Sequence, residues 1–103
     1  MRLTLLFVCW TLAVPSSAYA TCELFEHKNF AGRFMKANSN ESLPRLGALN
    51  DRVSSIKVAS QCLLVAYADE EYRGVTTTFG PGDYPTLPQG WDDEISSVHC
   101  NCR

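Results

Sequence analysis

The sequence repeats itself with one fixed offset. Phe25 to Gly32 reads aromatic, four residues, aromatic, one residue, glycine, and Tyr67 to Gly74 reads the same. Asn50 to Ser55 and Asp92 to Ser97 share a second pattern: Asn or Asp, then Asp, two residues, and Ser-Ser. Both patterns recur after 42 residues (67 minus 25, and 92 minus 50). Two unrelated patterns with one ungapped period predict a duplicated unit, with repeat 1 at about 22–61 and repeat 2 at about 62–103.

The local composition of both repeats predicts β-structure. Turn formers such as Asn38-Ser39-Asn40 and Gly80-Pro81-Gly82-Asp83 separate short segments rich in β-branched and aromatic residues. No long stretch follows a helical period, although short helical turns are expected near Leu46–Leu49 and Pro88–Trp91. The sequence therefore predicts an all-β sandwich or barrel of about eight short strands. Six of them are placed at Glu23–Glu26, Arg33–Lys36, Ser54–Val58, Leu63–Tyr67, Val75–Phe79 and Ser96–Cys100.

The repeated glycine and aromatics predict a tight hairpin in each repeat. Gly32 and Gly74 follow an aromatic residue, where a positive φ or a close backbone approach would exclude a Cβ. The aromatic pairs are then expected to stack across the folded hairpin. These pairs are Phe25 with Phe30 and Tyr67 with Tyr72.

The first twenty residues have the pattern of a secretory signal peptide. Arg2 is the positive n-region, Leu3 to Val14 are apolar, and Ala18-Tyr19-Ala20 presents small residues at the cleavage site. The apolar run is shorter than the roughly 20 residues that a membrane span needs. We expect cleavage after Ala20, a secreted protein, and one domain over residues 21–103.

Four cysteines remain after this segment: Cys22, Cys62, Cys100 and Cys102. An even number in a short exported chain predicts two disulfides. Zinc is the alternative, but the long gaps and the absence of a C-x-x-C pair do not match the usual ligand spacing. Asn40-Glu41-Ser42 is an N-glycosylation sequon, so Asn40 is a predicted glycosylation site.

The charge balance excludes some functions. The chain has 9 Lys/Arg and 11 Asp/Glu, and Arg2 is the only charge in the signal segment. Without a basic patch, we expect neither nucleic acid nor membrane insertion. The two histidines, His27 and His99, lie 72 residues apart, and the sequence has no nucleophile elbow. We therefore expect no enzymatic activity and a monomer; the sequence identifies no protein partner.

The two repeated patterns together resemble the βγ-crystallin domain over essentially all of residues 21–100. The resemblance implies two Greek-key motifs forming a sandwich, each lending one strand to the other's sheet. The signal peptide and the cysteines distinguish this chain from the lens proteins of that family.

The resemblance also implies calcium, up to two ions, at sites shared between the repeats. Calcium takes six to eight oxygens, which carboxylates, carbonyls and hydroxyls supply. The first site would use an Asp51 oxygen, the Arg52 carbonyl and the Ser96 hydroxyl. The second would use Asp93, the Glu94 carbonyl and Ser54. A further carbonyl near His27 or Asp69 would come from the opening hairpins.

Asn50 and Asp92 are expected to brace the two loops through backbone hydrogen bonds. The positive side chain of Arg52 need not disable its site, because that residue offers a carbonyl. The alternative is that these residues build Asx-turns and ST-motifs without any ion.

In the family fold the four cysteines would cluster at one pole. Cys100–Cys102 would close a very small, strained ring, so we disfavour the pairing that contains it. Two pairings remain, and we favour slightly Cys62–Cys100 with Cys22–Cys102.

Two functions are weighed. The first is a non-enzymatic, secreted calcium-binding domain with a structural or stability role. The second is a secreted interaction protein, such as a protease inhibitor, toxin or antimicrobial factor. Tyr84 to Pro88 is the only apolar loop that suits an inhibitor.

Overall fold

The structure is a computed structural model that describes residues 20–103. The predicted signal segment, apart from Ala20, and Cys9 within it lie outside the described residues. Among residues 20–103, no helix is long and apolar enough to cross a membrane.

Eight strands and two short 3-10 helices make up the described chain. The strands are β1 (Cys22–His27), β2 (Ala31–Ala37), β3 (Ser42–Leu43), β4 (Ser55–Val58), β5 (Cys62–Asp69), β6 (Arg73–Phe79), β7 (Gly82–Tyr84) and β8 (Ser97–Cys102). The 3-10 helices are Lys28–Phe30 and Gly47–Leu49.

The strands form two antiparallel four-stranded sheets with one exchanged strand each. The first sheet has the order β2-β1-β4-β7 and the second β3-β8-β5-β6. In each sheet three strands come from one repeat and the edge strand comes from the other, since β7 pairs with β4 and β3 with β8. The all-β fold class with two Greek-key motifs is therefore confirmed.

Six strands were predicted near their true positions, and two were missed. β3 is only two residues long, and β7 (Gly82–Tyr84) overlaps the segment Gly80 to Asp83, which was predicted as a turn. Both strands form because they pair with a strand of the other repeat, a long-range contact that local composition does not report. The predicted helical turn at Pro88–Trp91 is a hydrogen-bonded turn, in which Trp91 N donates to Pro88 O at 3.0 Å.

The core lies between the two sheets. Along β5 the inward residues Cys62, Leu64 and Ala66 are buried, whereas Leu63 faces outward and is exposed. Successive side chains of a strand point to opposite faces of the sheet, so alternate residues of β5 enter the core. The largest fully buried apolar side chains are Leu24, Leu46, Leu49, Ile56, Leu64, Ile95, Val53 and Val98.

Both hairpins adopt the predicted geometry. Gly32 and Gly74 each have φ of 82°. A Cβ on Gly32 would lie 2.5 Å from His27 Cδ2, and one on Gly74 would lie 2.6 Å from Asp69 Oδ2. Any other residue would therefore clash there as well as being strained. The aromatic rings also pack edge-on, at 5.6 Å for the pair in repeat 1 and 5.7 Å for the pair in repeat 2.

The four cysteines cluster at one pole, but the favoured pairing was wrong. The disulfides are Cys22–Cys100 and Cys62–Cys102. Cys62 and Cys102 are direct partners in the β5–β8 register, with Cα atoms 4.0 Å apart. Cys100 lies two residues earlier on the same inward face of β8, where it bonds to Cys22 of the opposite sheet. The register of β5 against β8 thus decides the pairing.

We expect Cys62→Ser to leave its partner, Cys102, as the free thiol. Alkylation at low pH followed by fragmentation of the C-terminal peptide would place the label on Cys102, and a label on Cys100 would contradict the pairing. The matched variant Cys22→Ser should label Cys100. Each variant should also lose about 4 kcal/mol of unfolding free energy, because each bond closes a long loop, with sequence separations of 40 and 78 residues.

Candidate metal centre

The buried polar side chains of residues 20–103 are four serines. Ser54 and Ser96 are 7% and 4% exposed, and Ser55 and Ser97 are fully buried. All four belong to the repeated Ser-Ser element. Since a buried hydroxyl is costly without a hydrogen bond, each of them needs a partner inside the fold.

The second serine of each element ties its own hairpin to the sheet. Ser55 Oγ accepts a hydrogen bond from Phe30 N at 3.0 Å and donates one to His27 O at 2.6 Å. Ser97 Oγ does the same in repeat 2, accepting from Tyr72 N at 3.0 Å and donating to Asp69 O at 2.7 Å. These bonds hold the hairpins beside the loops that precede β4 and β8.

The first serine of each element reaches the other repeat. Ser96 Oγ donates to Asp51 Oδ1 at 2.9 Å, and Ser54 Oγ donates to Asp93 Oδ1 at 3.1 Å. Each pair joins residues that are 45 or 39 positions apart in the sequence. The structure therefore brings together both predicted cross-repeat pairs of aspartate and serine.

The backbone repeats this exchange. Asp51 N donates to Ile95 O at 3.1 Å, and Asp93 N donates to Val53 O at 3.0 Å. Asp51 and Asp93 have φ of 57° and 60°, a left-handed conformation that aspartate tolerates better than most residues. This conformation sets both carboxylates on the loops that face the partner serines.

The first residue of each element carries a buried oxygen without a partner. Asn50 Oδ1 and Asp92 Oδ1 are the buried side-chain atoms of the described chain that make no hydrogen bond. We expected these residues to brace their loops through backbone hydrogen bonds, and the structure shows no such bond for either oxygen. Buried, unpaired oxygens beside carboxylates and hydroxyls form a donor set that suits a hard cation such as calcium.

The hairpin carbonyls complete the set of oxygens. The carbonyls of His27 and Asp69 each accept one hydrogen bond from a serine hydroxyl. The second lone pair of each carbonyl oxygen can therefore bind a cation. Ser96 N donates to Tyr67 O and Ser54 N to Phe25 O, both at 2.9 Å. The first site therefore lies against the hairpin of repeat 2, and the second site lies against the hairpin of repeat 1.

The Arg52 carbonyl was predicted at the first site, and that role stays a prediction, whereas the Arg52 side chain lies at the second site. It lines a pocket of about 190 Å³ together with Glu26, His27, Ser54 and Asp93, which is the second site. Its Nη1 atom lies 3.9 Å from Glu26 Oε2. The role predicted for the Glu94 carbonyl stays a prediction.

Glu26 is a residue of the site that the sequence patterns missed, since the equivalent position in repeat 2 is Ala68. Its carboxylate binds Arg33 through two bonds, at 2.9 Å from Nη2 and 3.2 Å from Nε. These hydrogen bonds from Arg33 lower the pKa of Glu26 to about 2. Glu26 is therefore ionised at neutral pH.

The predicted glycosylation site is exposed. Asn40 lies in the turn before β3, and its Oδ1 accepts a hydrogen bond from Cys102 N at 2.9 Å. Ser42 of the same sequon hydrogen-bonds His99 Nδ1. His99 also stacks on Tyr72, with ring centroids 4.1 Å apart.

Comparison with known proteins agrees with this geometry. The Beta/Gamma crystallin family model matches residues 21–100. A curated beta/gamma-crystallin from Ciona intestinalis is 38% identical over 78 residues, which covers 73% of this chain and 90% of the relative. A solved betagamma-crystallin from an archaeon is 36% identical with a TM-score of 0.67, covering 78% of this chain and 95% of that one.

A more distant solved structure shows the shared fold alone. It is a clostrillin double mutant in complex with nickel, 22% identical with a TM-score of 0.68, covering 79% of this chain and 97% of that one. The chain described here belongs to the βγ-crystallin family. That family is one of structural crystallin-type domains and is not a known enzyme family.

We expect Ser97→Ala and Ser55→Ala each to destabilise the calcium-free protein by about 2–3 kcal/mol. Each change leaves a part-buried N–H group and a part-buried carbonyl without their partner. Urea unfolding in chelator measures this loss. The exposed Ser60→Ala is the control and should stay within about 0.5 kcal/mol of wild type; equal stability of Ser97→Ala and Ser60→Ala would contradict the assigned role.

Proposed function

We propose that this chain is a secreted, non-enzymatic calcium-binding domain, and that the bound ion stabilises its fold. The observation that supports this most is the exchange of ligands between the repeats. Each aspartate lies within 3.1 Å of a serine hydroxyl from the other repeat, next to a buried oxygen without a partner.

The residues on each side of the exchange would hold up to two ions. At the first site these are Asp51 and Ser96, with a carbonyl of the repeat 2 hairpin. At the second site they are Asp93 and Ser54, with a carbonyl of the repeat 1 hairpin. Asn50 and Asp92 would add or orient oxygens from the loops. Calcium bound there would join the two repeats, because each site takes ligands from both.

An ion that binds only the folded form must stabilise it. At a calcium concentration about 100 times the dissociation constant, the gain in unfolding free energy is about 2.7 kcal/mol. Extracellular modules commonly bind calcium at roughly 10⁻⁴ to 10⁻³ M, so millimolar calcium is the relevant range.

We therefore expect calcium to raise the melting temperature of the oxidised residues 21–103. At a saturating level the shift should be about 10 °C or more for a domain of this size. Differential scanning calorimetry in calcium and in chelator measures the shift, and equal midpoints would contradict the proposal. Ser96→Arg should reduce the shift, since it places a cation at the first site, whereas the exposed Ser60→Arg should leave it unchanged.

Export is the second part of the proposal. It is supported by the signal-like residues 1–20 and by the two disulfides, which persist in oxidising compartments. When the full chain is expressed in a secreting eukaryotic cell, the medium should contain a protein that begins at Thr21. N-terminal sequencing checks this, and full-length chain retained in the cell lysate would contradict it.

The structure does not favour an inhibitor function. Leu87, in the only loop that suited it, is buried in the core. The carbonyl of Pro85 accepts a hydrogen bond from Asn29 N at 2.9 Å. The side chain of Leu87 therefore packs into the domain and is not presented to a protease.

A further inference from the structure

The two sites have similar backbone geometry but a different balance of charged side chains. The pocket of the second site is lined by Glu26, His27, Arg52, Ser54 and Asp93. It therefore contains two carboxylates and one guanidinium, and Arg33 adds a second guanidinium at Glu26. The two guanidinium groups therefore offset the two carboxylates among these four side chains, which weakens the attraction of this site for a divalent ion.

The corresponding positions of the first site carry no cation. A shift of 42 residues converts Glu26, His27 and Arg52 into Ala68, Asp69 and Glu94. Together with Asp51, these positions hold three carboxylates. Among residues 20–103, no ion pair joins a cation to Asp51, Asp69 or Glu94.

Arg52 occupies the second site as a cation tethered to the chain. Its guanidinium Nη1 lies 3.9 Å from Glu26 Oε2, in the same pocket as Asp93. Glu26 is already neutralised by two bonds from Arg33 at 2.9 and 3.2 Å. An arginine cannot lose its charge in a protein, so only movement of the side chain could remove it from a bound calcium ion.

We propose that Arg52 serves as the built-in cation of the second site, so that the chain binds one calcium ion tightly, at the first site. This inference rests on the proposed calcium-binding function. The second site fills only at higher calcium, because the ion must displace a like charge from the pocket. The Arg52 side chain is 63% exposed and can swing outward, so the second site is weakened by about tenfold or more and is not abolished.

The two sites therefore differ in how their carboxylates are neutralised. In calcium-free protein, Arg52 partly offsets the carboxylates of the second site. At the first site, no cation within the described chain offsets the aspartate, which leaves that site dependent on an external ion. Such a domain responds to calcium mainly at the first site, while Arg52 partly takes the place of the ion at the second site.

The internal repeat supplies the matched variants for a test. Arg52→Glu gives the second site the residue that occupies the equivalent position of the first, and Glu94→Arg gives the first site the residue of the second. Arg103→Glu makes the same charge change as Arg52→Glu, but it lies beside Cys102 at the cysteine pole and serves as the control. Circular dichroism in chelator first establishes that each variant is folded.

Calcium titration calorimetry should show one tight binding event in the wild type. Arg52→Glu should raise the affinity of the second event by about tenfold or more, so that two ions bind in the same range. Glu94→Arg should lower the affinity of the first event by a similar factor, and Arg103→Glu should behave as wild type. In ¹⁵N spectra of the wild type, the first equivalent of calcium should shift the amides of Asp51 and Ser96 before those of Asp93 and Ser54.

Two results would overturn the inference, and they are distinguishable from failure of the proposed function. Two equal sites in the wild type, unchanged by Arg52→Glu, would contradict the role of Arg52 while supporting calcium binding. First occupation at Asp93 and Ser54 would reverse the order and also contradict it. An absence of heat and of melting shift in every variant would remove the proposed function, and this inference with it.

Discussion

The exchange of hydrogen bonds between the two repeats is the contact on which this domain depends. Ser96 donates to Asp51 and Ser54 donates to Asp93, while two backbone amides cross between the same loops. The buried hydroxyl of Ser54 or Ser96 has its hydrogen-bond acceptor on the loop of the other repeat. Because an unpaired buried hydroxyl costs free energy, the two halves stabilise each other at this point, and any ion bound there would add to the same link.

The opposite end of the sandwich is held covalently. Cys22–Cys100 joins the two sheets, and Cys62–Cys102 joins neighbouring strands of one sheet. A domain of about 80 residues has a small core, so constraints at both ends compensate for limited apolar burial. The loops of the metal centre lie at the other end of the same strands, since Cys22 pairs with Val58 and Phe25 pairs with Ser55.

Much of this architecture was readable from the sequence, because the 42-residue period aligns every special position. The glycines and the aromatic pairs followed from it, the Asp–Ser exchange was implied by the family resemblance, and all are present. The exchange of one strand per repeat was implied by the resemblance, but the positions of β3 and β7 were not assigned, because these strands form through pairing with the other repeat. The disulfide pairing depends on the register of β5 against β8, which no local pattern encodes. Glu26 and the position of the Arg52 side chain were missed for a related reason: they are the points at which the two repeats differ.

A double-mutant cycle on unfolding free energy tests the exchange most directly. Asp51→Ala, Ser96→Ala and the double variant would be unfolded in urea with and without calcium, beside a second cycle that pairs Asp51→Ala with Ser54→Ala. Residues in contact couple by about 0.5–3 kcal/mol, so the account predicts coupling of Asp51 with Ser96, 45 residues away, and larger coupling in calcium. Additive effects for Asp51 and Ser96, together with coupling of Asp51 to Ser54 of its own loop, would contradict it.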